Sequence, residues 1–178
     1  MSRPEFVTPQ VVHDAPVLLA DPDPAWADAF AAEAARLRGA LGERALAVEH
    51  VGSTSVPGLA AKPIVDIVLV VADTTDEAAY VPDMEAAGYV LHLREPDWFE
   101  HRLFKRFDVD VNLHAFPDGC PEVDRMLAFR DHLRADDADR RLYEDTKRAL
   151  AVRRWRYVQD YADAKSDVVA EIMGRALG

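Results

Sequence analysis

Cysteine is nearly absent: the 178-residue chain has one, Cys120. A single thiol excludes a disulfide framework within the chain and a thiolate zinc site. Its setting, Pro117-Asp118-Gly119-Cys120-Pro121, reads as a turn and argues against a nucleophile. Long apolar runs are absent too. None approaches the ~20 residues of a membrane span, so no membrane partner is expected. The opening Met-Ser-Arg-Pro, followed by mixed polarity, is unlike a signal peptide, and a cytoplasmic location is the expectation. Basic residues are in the minority, 21 Lys and Arg against 32 Asp and Glu, for a net charge of −11. Duplex nucleic acid is thereby excluded as a general partner, since its binding relies on neutralised phosphates. The Arg-rich stretch Arg148 to Arg156 reads either as a local basic patch or, more simply, as the solvated face of a helix. No internal repeat or low-complexity linker occurs.

What is present suffices for one core, because 49% of the residues are hydrophobic. Residues 1–16 read as a loose arm, and residues 17–178 as one domain. Pro16 to Ala20 is a candidate short strand. Asp21-Pro22-Asp23-Pro24 turns into a helix over about Ala25 to Leu41, with Trp26, Phe30, Ala34, Leu37 and Leu41 as its buried stripe and Gly42 as its stop. Strands are expected at Ala45 to Val48, Ile64 to Val71 and Tyr89 to Leu93, with a helix over 76–87 between the last two. Arg94 to Glu100 reads as a loop. His101 to Phe104 and Val109 to Phe116 read as strands joined by a turn near Lys105 to Asp108. Helices come next over Pro121 to Arg134, from Asp136-Asp137 past Leu150, and over Lys165 to Leu177. Sheet first and helices after favours an α+β fold.

The stretch Glu49 to Val70 organises the rest. A polar loop with two glycines, three hydroxyls, two prolines and Lys62 leads into the apolar run Ile64 to Val71, a buried central strand. Asp66 interrupts that run. A carboxylate there costs several kcal/mol unless it is paired, hydrogen-bonded or metal-bound. The loop before it suits an anion, because small residues let backbone N–H groups approach a phosphate. Val109 to Phe116 alternates, with Val109, Val111, Leu113 and Ala115 on one face and Asp110, Asn112 and His114 on the other. That polar row reads either as a ligand or catalytic row or as the wet face of a half-exposed sheet.

The run from His50 to Ile67, HVGSTSVPGLAAKPIVDI, resembles the signature of the GrpB family, within the nucleotidyltransferase superfamily. Asp23-Pro24-Ala25-Trp26, Asn112-Leu113-His114, Phe129-Arg130-Asp131-His132-Leu133-Arg134, and Tyr143 with Lys147 agree in kind and order, and the resemblance covers about 17–177. It implies a polymerase-β-like nucleotidyltransferase fold, a mixed β-sheet flanked by helices with a helical C-terminal part. It also implies Mg²⁺ as cofactor. In that superfamily a Gly-Ser pair closes on the triphosphate and carboxylates on two strands hold the metal. Gly52-Ser53 matches the pair, Asp66 the first acid, and Asp110 is the natural third. Where the superfamily places the second acid, this chain has Val68. Asn112 and His114 could complete the shell of one Mg²⁺. Relatives of this family fused to dephospho-CoA kinase domains point to nucleotide or cofactor chemistry.

The resemblance also implies candidate roles. Asp66, Asp110 and His114 are the candidate catalytic residues, with Asp66 and Asp110 as metal ligands. Ser53, Thr54 and Ser55 are candidate phosphate donors, or side-chain caps of a turn. Lys62 would meet a phosphate oxygen as a point charge, or is a surface lysine. His50 and Asn112 flank the loop, and for His50 and His114 a structural hydrogen bond to the loop is the alternative role. Arg102, Arg130, Tyr143, Lys147 and Lys165 line a cleft, or sit at the surface and between helices. Three functions compete for a nucleotide or small anionic metabolite. They are Mg²⁺-dependent nucleotidyl transfer to a small molecule, non-catalytic nucleotide binding in a regulatory module, and metal-independent chemistry on an anion by Asp110, Asn112 and His114.

Overall fold

The computed structural model describes residues 4–106 and 108–177. The elements run β1 (Glu5–Phe6), α1 (Ala25–Leu41), β2 (Ala47–Val51), β3 (Val65–Val71), α2 (Val81–Ala86), β4 (Val90–Glu95), β5 (His101–Arg106), β6 (Val111–Pro117), α3 (Pro121–Ala135), α4 (Asp137–Ala151), α5 (Val158–Asp163) and α6 (Ser166–Ala176). The strands form one mixed sheet in the order β1-β4-β5-β6-β3-β2, with β3 and β6 parallel and the other pairs antiparallel. The fold is α+β, as the segregation of elements predicts.

Strand alternation decides what each face does. Ile67 and Leu69 of β3, Leu113 and Ala115 of β6, and Phe104 of β5 point to α1 and α2, and each is fully buried. Each such aliphatic or aromatic side chain contributes about 1.5–3 kcal/mol by leaving water. A buried charge network crosses this face. Arg106 donates to Glu33 at 2.6 Å, and the Tyr89 hydroxyl donates to the same carboxylate at 2.5 Å. The opposite face is divided. Its C-terminal half, with Val68, Val70 and Phe116, is covered by Val123, Met126 and Leu127 of α3. Its N-terminal half, with Asp66, Asn112 and His114, keeps solvent contact. The helical part closes on the long loop, as Val56 and Leu59 pack with Leu133, Tyr143, Val168 and Ile172.

The structure differs from expectation in several places. The arm is tethered, because Glu5 and Phe6 pair with β4 and the Ala15 and Trp155 backbones bridge; its residues 1–3 lie outside the described residues. Pro16 to Ala20 forms no strand; Ala20 makes one isolated bridge, to Ala61. β2 begins at Ala47 and runs on to Val51, because pairing with β3 carries it to the loop. The helix over 76–87 is broken into a 3-10 turn, Glu77–Ala79, and α2. Pro82 has no N–H for a continuous ladder and fits only a first turn. β4 takes in Arg94 and Glu95, through an irregular register between Leu91 and Leu93. β6 starts at Val111, leaving Asp110 in the turn before it. Phe107, within the expected hairpin turn, is not among the described residues.

Candidate functional site

Gly52 is the hinge of the site. Its backbone, at φ 69° and ψ −174°, is one that only glycine adopts without strain. A Cβ placed there would stand 2.5 Å from Asp66 Oδ2. Backbone and carboxylate are therefore in direct contact, and two separate constraints demand glycine. The register sets this up, because Val51 pairs with Asp66 and Asp66 in turn with Asn112. Asn112 Nδ2 donates to Asp66 Oδ1 at 3.0 Å. Asp66 lies on the cleft floor, its side chain 29% exposed. Burial works to raise its pKa, and His114, Asn112 and Lys62 together outweigh it and hold the carboxyl below its ordinary value.

Most of the loop's polar groups hold the loop itself. Ser53–Ser55 form a 3-10 turn. The Ser55 hydroxyl donates to the Gly52 carbonyl at 2.6 Å, and the Thr54 hydroxyl to the Ile64 carbonyl at 3.2 Å. Arg134 donates twice to the Ser55 carbonyl, at 3.0 and 2.8 Å. Helix α4 grips Ala60 from both sides. Lys147 Nζ donates to its carbonyl at 2.5 Å, and its N–H donates to Glu144 at 3.2 Å. Thr54 and Ser55 are thus buried struts, and among the three hydroxyl residues Ser53 alone keeps solvent contact.

Cations surround the carboxylate. Lys105 pairs across the sheet with Asn112, on the Asp66 face. Lys62 and Lys165 both feel the Asp66 charge. Burial pushes Lys62, Lys105 and Lys165 below the ordinary lysine value, with Asp66 pulling Lys62 and Lys165 back up. Among the described residues none of the three makes an ion pair; Lys165 Nζ sits 4.6 Å from the Tyr161 ring centroid. Lys147 is 2% exposed, and burial brings its ammonium down to about 7. Tyr143 lies beside Lys147, ring centroid 5.1 Å from Nζ, and burial pushes its phenol up to about 12.

The structure brings Gly52, Ser53, Lys62, Asp66, Asn112, His114 and Lys165 together, with Tyr143 and Lys147 beneath the loop. It places four predicted residues elsewhere. His50 pairs with Ile67, so it faces α1, stacks on Phe30 at 4.8 Å and meets Thr54 at 3.0 Å. Burial takes its imidazole down to about 4. Arg102 also faces the α1 side, bound to Glu77 at 2.8 Å and to the Glu100 carbonyl at 3.0 Å. Arg130 ties α3 to β2 through Glu49 at 2.9 Å and the His50 carbonyl at 3.1 Å. The Asp110 side chain is exposed on its turn, and its carbonyl accepts from Val65 at 2.9 Å. Among the described residues Asp66, Asp110 and His114 do not bring three ligand atoms within 4.8 Å of one another; His132, Asp136 and Asp139 do. That second trio is already occupied, by two Arg175 bonds to Asp139 and by Asp136 capping α4.

Three residues of the site escaped the sequence. Lys105 would have emerged from alternation along His101, Leu103 and Lys105. Glu95 and His101 form a chain into the cleft: His101 Nδ1 lies 2.8 Å from Glu95 Oε2, and His101 Nε2 lies 3.0 Å from His114 Nδ1. His114 Nε2 stands 3.8 Å from Asp66 Oδ1. The only signal for this chain was three polar residues of unusual type on adjacent strands.

Known proteins resemble this chain along nearly its whole length. The model of the family described as GrpB protein matches residues 16–175. A UPF0157 protein of Halalkalibacterium halodurans is 60% identical over 92% of this chain and 84% of its own length. A UPF0157 protein of Streptomyces coelicolor is 48% identical over 98% of this chain and 93% of its own. The crystal structure of the conserved protein GrpB from Enterococcus faecalis superposes with a TM-score of 0.73 at 32% identity, over 90% of this chain and 97% of that one. With that span matched in sequence and that fold recurring in a solved relative, the chain belongs to the GrpB family.

Proposed function

We propose that the cleft binds a small phosphorylated metabolite, with a nucleotide as the first candidate. Its phosphate would lie over Gly52 and Ser53 and meet Lys62, Lys105 and Lys165. One observation carries this reading. In a chain of net charge −11, three half-buried lysines on the cleft side make no ion pair among the described residues, with Asp66 acting on Lys62 and Lys165. Burying uncompensated charge is costly, and an anionic ligand with several oxygens would supply the missing partners. Asp66 and His114 then face whatever hydroxyl the ligand or a second substrate brings, and His114 is the acid–base group.

The donor set does not fit a two-metal centre. Such a centre needs carboxylate oxygens enough for two dications about 4 Å apart. Val68, fully buried in an apolar cluster, holds the second acid's place, and among the described residues Asp110 does not join Asp66 and His114 in a three-ligand cluster. The nearby lysines would repel a bare dication. One Mg²⁺ arriving on a nucleotide's own phosphates would need only one protein carboxylate, which Asp66 could supply. Val68 therefore favours, as second reading, a nucleotide-binding module that transfers nothing.

Thermal unfolding with nucleoside triphosphates, pyrophosphate and neutral nucleosides, each with and without Mg²⁺, tests the reading. A phosphorylated ligand at 100 times its Kd adds about 2.7 kcal/mol and raises Tm. Neutral nucleosides should add nothing. No response to any phosphorylated compound would overturn it. Pyrophosphate release that requires Mg²⁺ and is lost in Asp66→Asn would identify nucleotidyl transfer; binding without release would identify the module.

A further inference from the structure

The histidine chain beside the cleft has a direction. An ionised carboxylate only accepts, so with Glu95 Oε2 at 2.8 Å, His101 Nδ1 carries a proton. Trp98 meets the His101 ring edge-on at 4.8 Å, and Phe116 lies 4.8 Å on another side. The residue is 2% exposed, and burial brings its imidazole down to about 4. A neutral imidazole with Nδ1 protonated has a lone pair on Nε2. The 3.0 Å contact to His114 then needs its proton from His114 Nδ1. In a neutral His114 the lone pair then lies on Nε2, 3.8 Å from Asp66 Oδ1. That gap is longer than a direct hydrogen bond.

We propose that Glu95 and His101 are positioning residues that hold His114 in its Nδ1–H tautomer, leaving Nε2 as the proton acceptor for a substrate hydroxyl lodged between His114 and Asp66. The inference rests on reading the cleft as a substrate site. The step balances without any other reagent. The hydroxyl proton passes to His114 Nε2, and the bonding electron pair stays on the substrate oxygen, which becomes the nucleophile. The imidazolium so formed keeps its Nδ1–H on His101 and lies against the Asp66 carboxylate. The opposite tautomer would present an N–H to the same hydroxyl and could not take its proton. Asp66 is set by Asn112 and Gly52 to receive the charge, and Glu95 and His101 connect to the cleft through His114.

Nitrogen-15 NMR of the side-chain imidazoles in the free full-length protein tests this, with His114 assigned by loss of its signals in His114→Gln. His114 should show a protonated Nδ1 and a lone-pair Nε2 at neutral pH, and His101 the same pattern. In Glu95→Leu the anchor is gone, so His114 should lose the Nδ1–H signature, wholly or in part. The isosteric Glu95→Gln, whose amide can donate to Nδ1 as well as accept, should do likewise should the leucine variant not fold. A wild-type His114 protonated on Nε2, or a His114 pattern unchanged in the Glu95 variant that folds, would overturn the proposal. The spectrum needs no ligand. Failure to bind phosphates would leave the tautomer result standing, and a wrong tautomer would leave the phosphate measurement untouched.

Discussion

The same sheet carries two groups of buried charge on opposite faces, and it treats them differently. On the α1 face Glu33 and Arg106, 6% and 9% exposed, are fully matched: Arg106 binds Glu33 and Asp108, Tyr89 takes the other Glu33 oxygen, and Arg36 lies 3.9 Å from Glu33. On the cleft face Lys62, Lys105 and Lys165 make no ion pair among the described residues; Asp66 acts on Lys62 and Lys165, and Asp110 on Lys62. A matched pair needs its partner to hold the fold together, and removing one member exposes the cost of the other. In the proposed reading an unmatched set contributes little to folding and keeps its charge for a ligand. The contrast separates structure from function without reference to any relative.

Breaking the matched pair should have the largest effect. Arg106→Met leaves Glu33 charged and buried, at a cost of about 3–5 kcal/mol. Urea unfolding should show a lower midpoint at unchanged slope. Glu33→Gln added to Arg106→Met should recover much of the loss, since no unpaired charge remains. A Lys165→Met variant that lost as much stability as Arg106→Met would abolish the distinction between the two faces.

Next comes the hinge. Gly52→Ala forces a side chain into a backbone region that costs of order 1–3 kcal/mol, and adds a Cβ 2.5 Å from Asp66 Oδ2. Stability should fall by at least the backbone cost. Adding Asp66→Ala should return the part due to the contact and not the part due to the backbone, so a double-mutant cycle should give a nonzero coupling. Strict additivity would mean that glycine and carboxylate are independent.

The cleft lysines should show the reverse pattern, small in stability and visible in binding. A hydrogen bond to a charged group contributes about 1.5–3 kcal/mol, so Lys62→Met or Lys165→Met should weaken a phosphorylated ligand by roughly 10- to 100-fold. Isothermal titration would read this, while unfolding midpoints should stay level or rise. Equal affinity in wild type and both variants would sink the assignment of the lysines to the ligand.

Particular residues mark how far the sequence could be read. The Gly52–Asp66 contact was legible because a glycine-and-hydroxyl loop ran into a buried strand carrying one acid. The alternation of β6 placed Asn112 and His114 correctly, because period two needs only the strand itself. Arg102 and His50 lie on the α1 face, which the sequence did not disclose because parity depends on pairing partners and no residue within β2 or β5 announces them; His50 still reaches the loop through Thr54. Thr54 and Ser55 looked like phosphate donors because a hydroxyl that braces its own loop has the same composition as one that waits for a ligand. Glu95 was hidden by the irregular register of β4 between Leu91 and Leu93, which switches the face of every later residue in that strand.

The smallest expected effect concerns acid. The Asp66 carboxyl is held below its ordinary value in the fold, so below an unfolded value of about 3.9 the unfolded chain binds the proton first. Stability from this group is fully present above that pH and is lost as pH falls through the folded value. Asp66→Asn removes that term, so as pH falls below about 4 the variant should lose less stability than wild type, a difference that unfolding midpoints across the range would read. On the other face, Arg106→Met should cost more stability than Asp66→Asn does at pH 7, because it strands the buried Glu33 carboxylate, whereas asparagine keeps the shape and polarity of Asp66 and leaves no buried charge unpaired. Should Asp66→Asn prove the more destabilising of the two at pH 7, the carboxylate would be a strut of the loop first, and the division between the faces would have to be redrawn around Gly52.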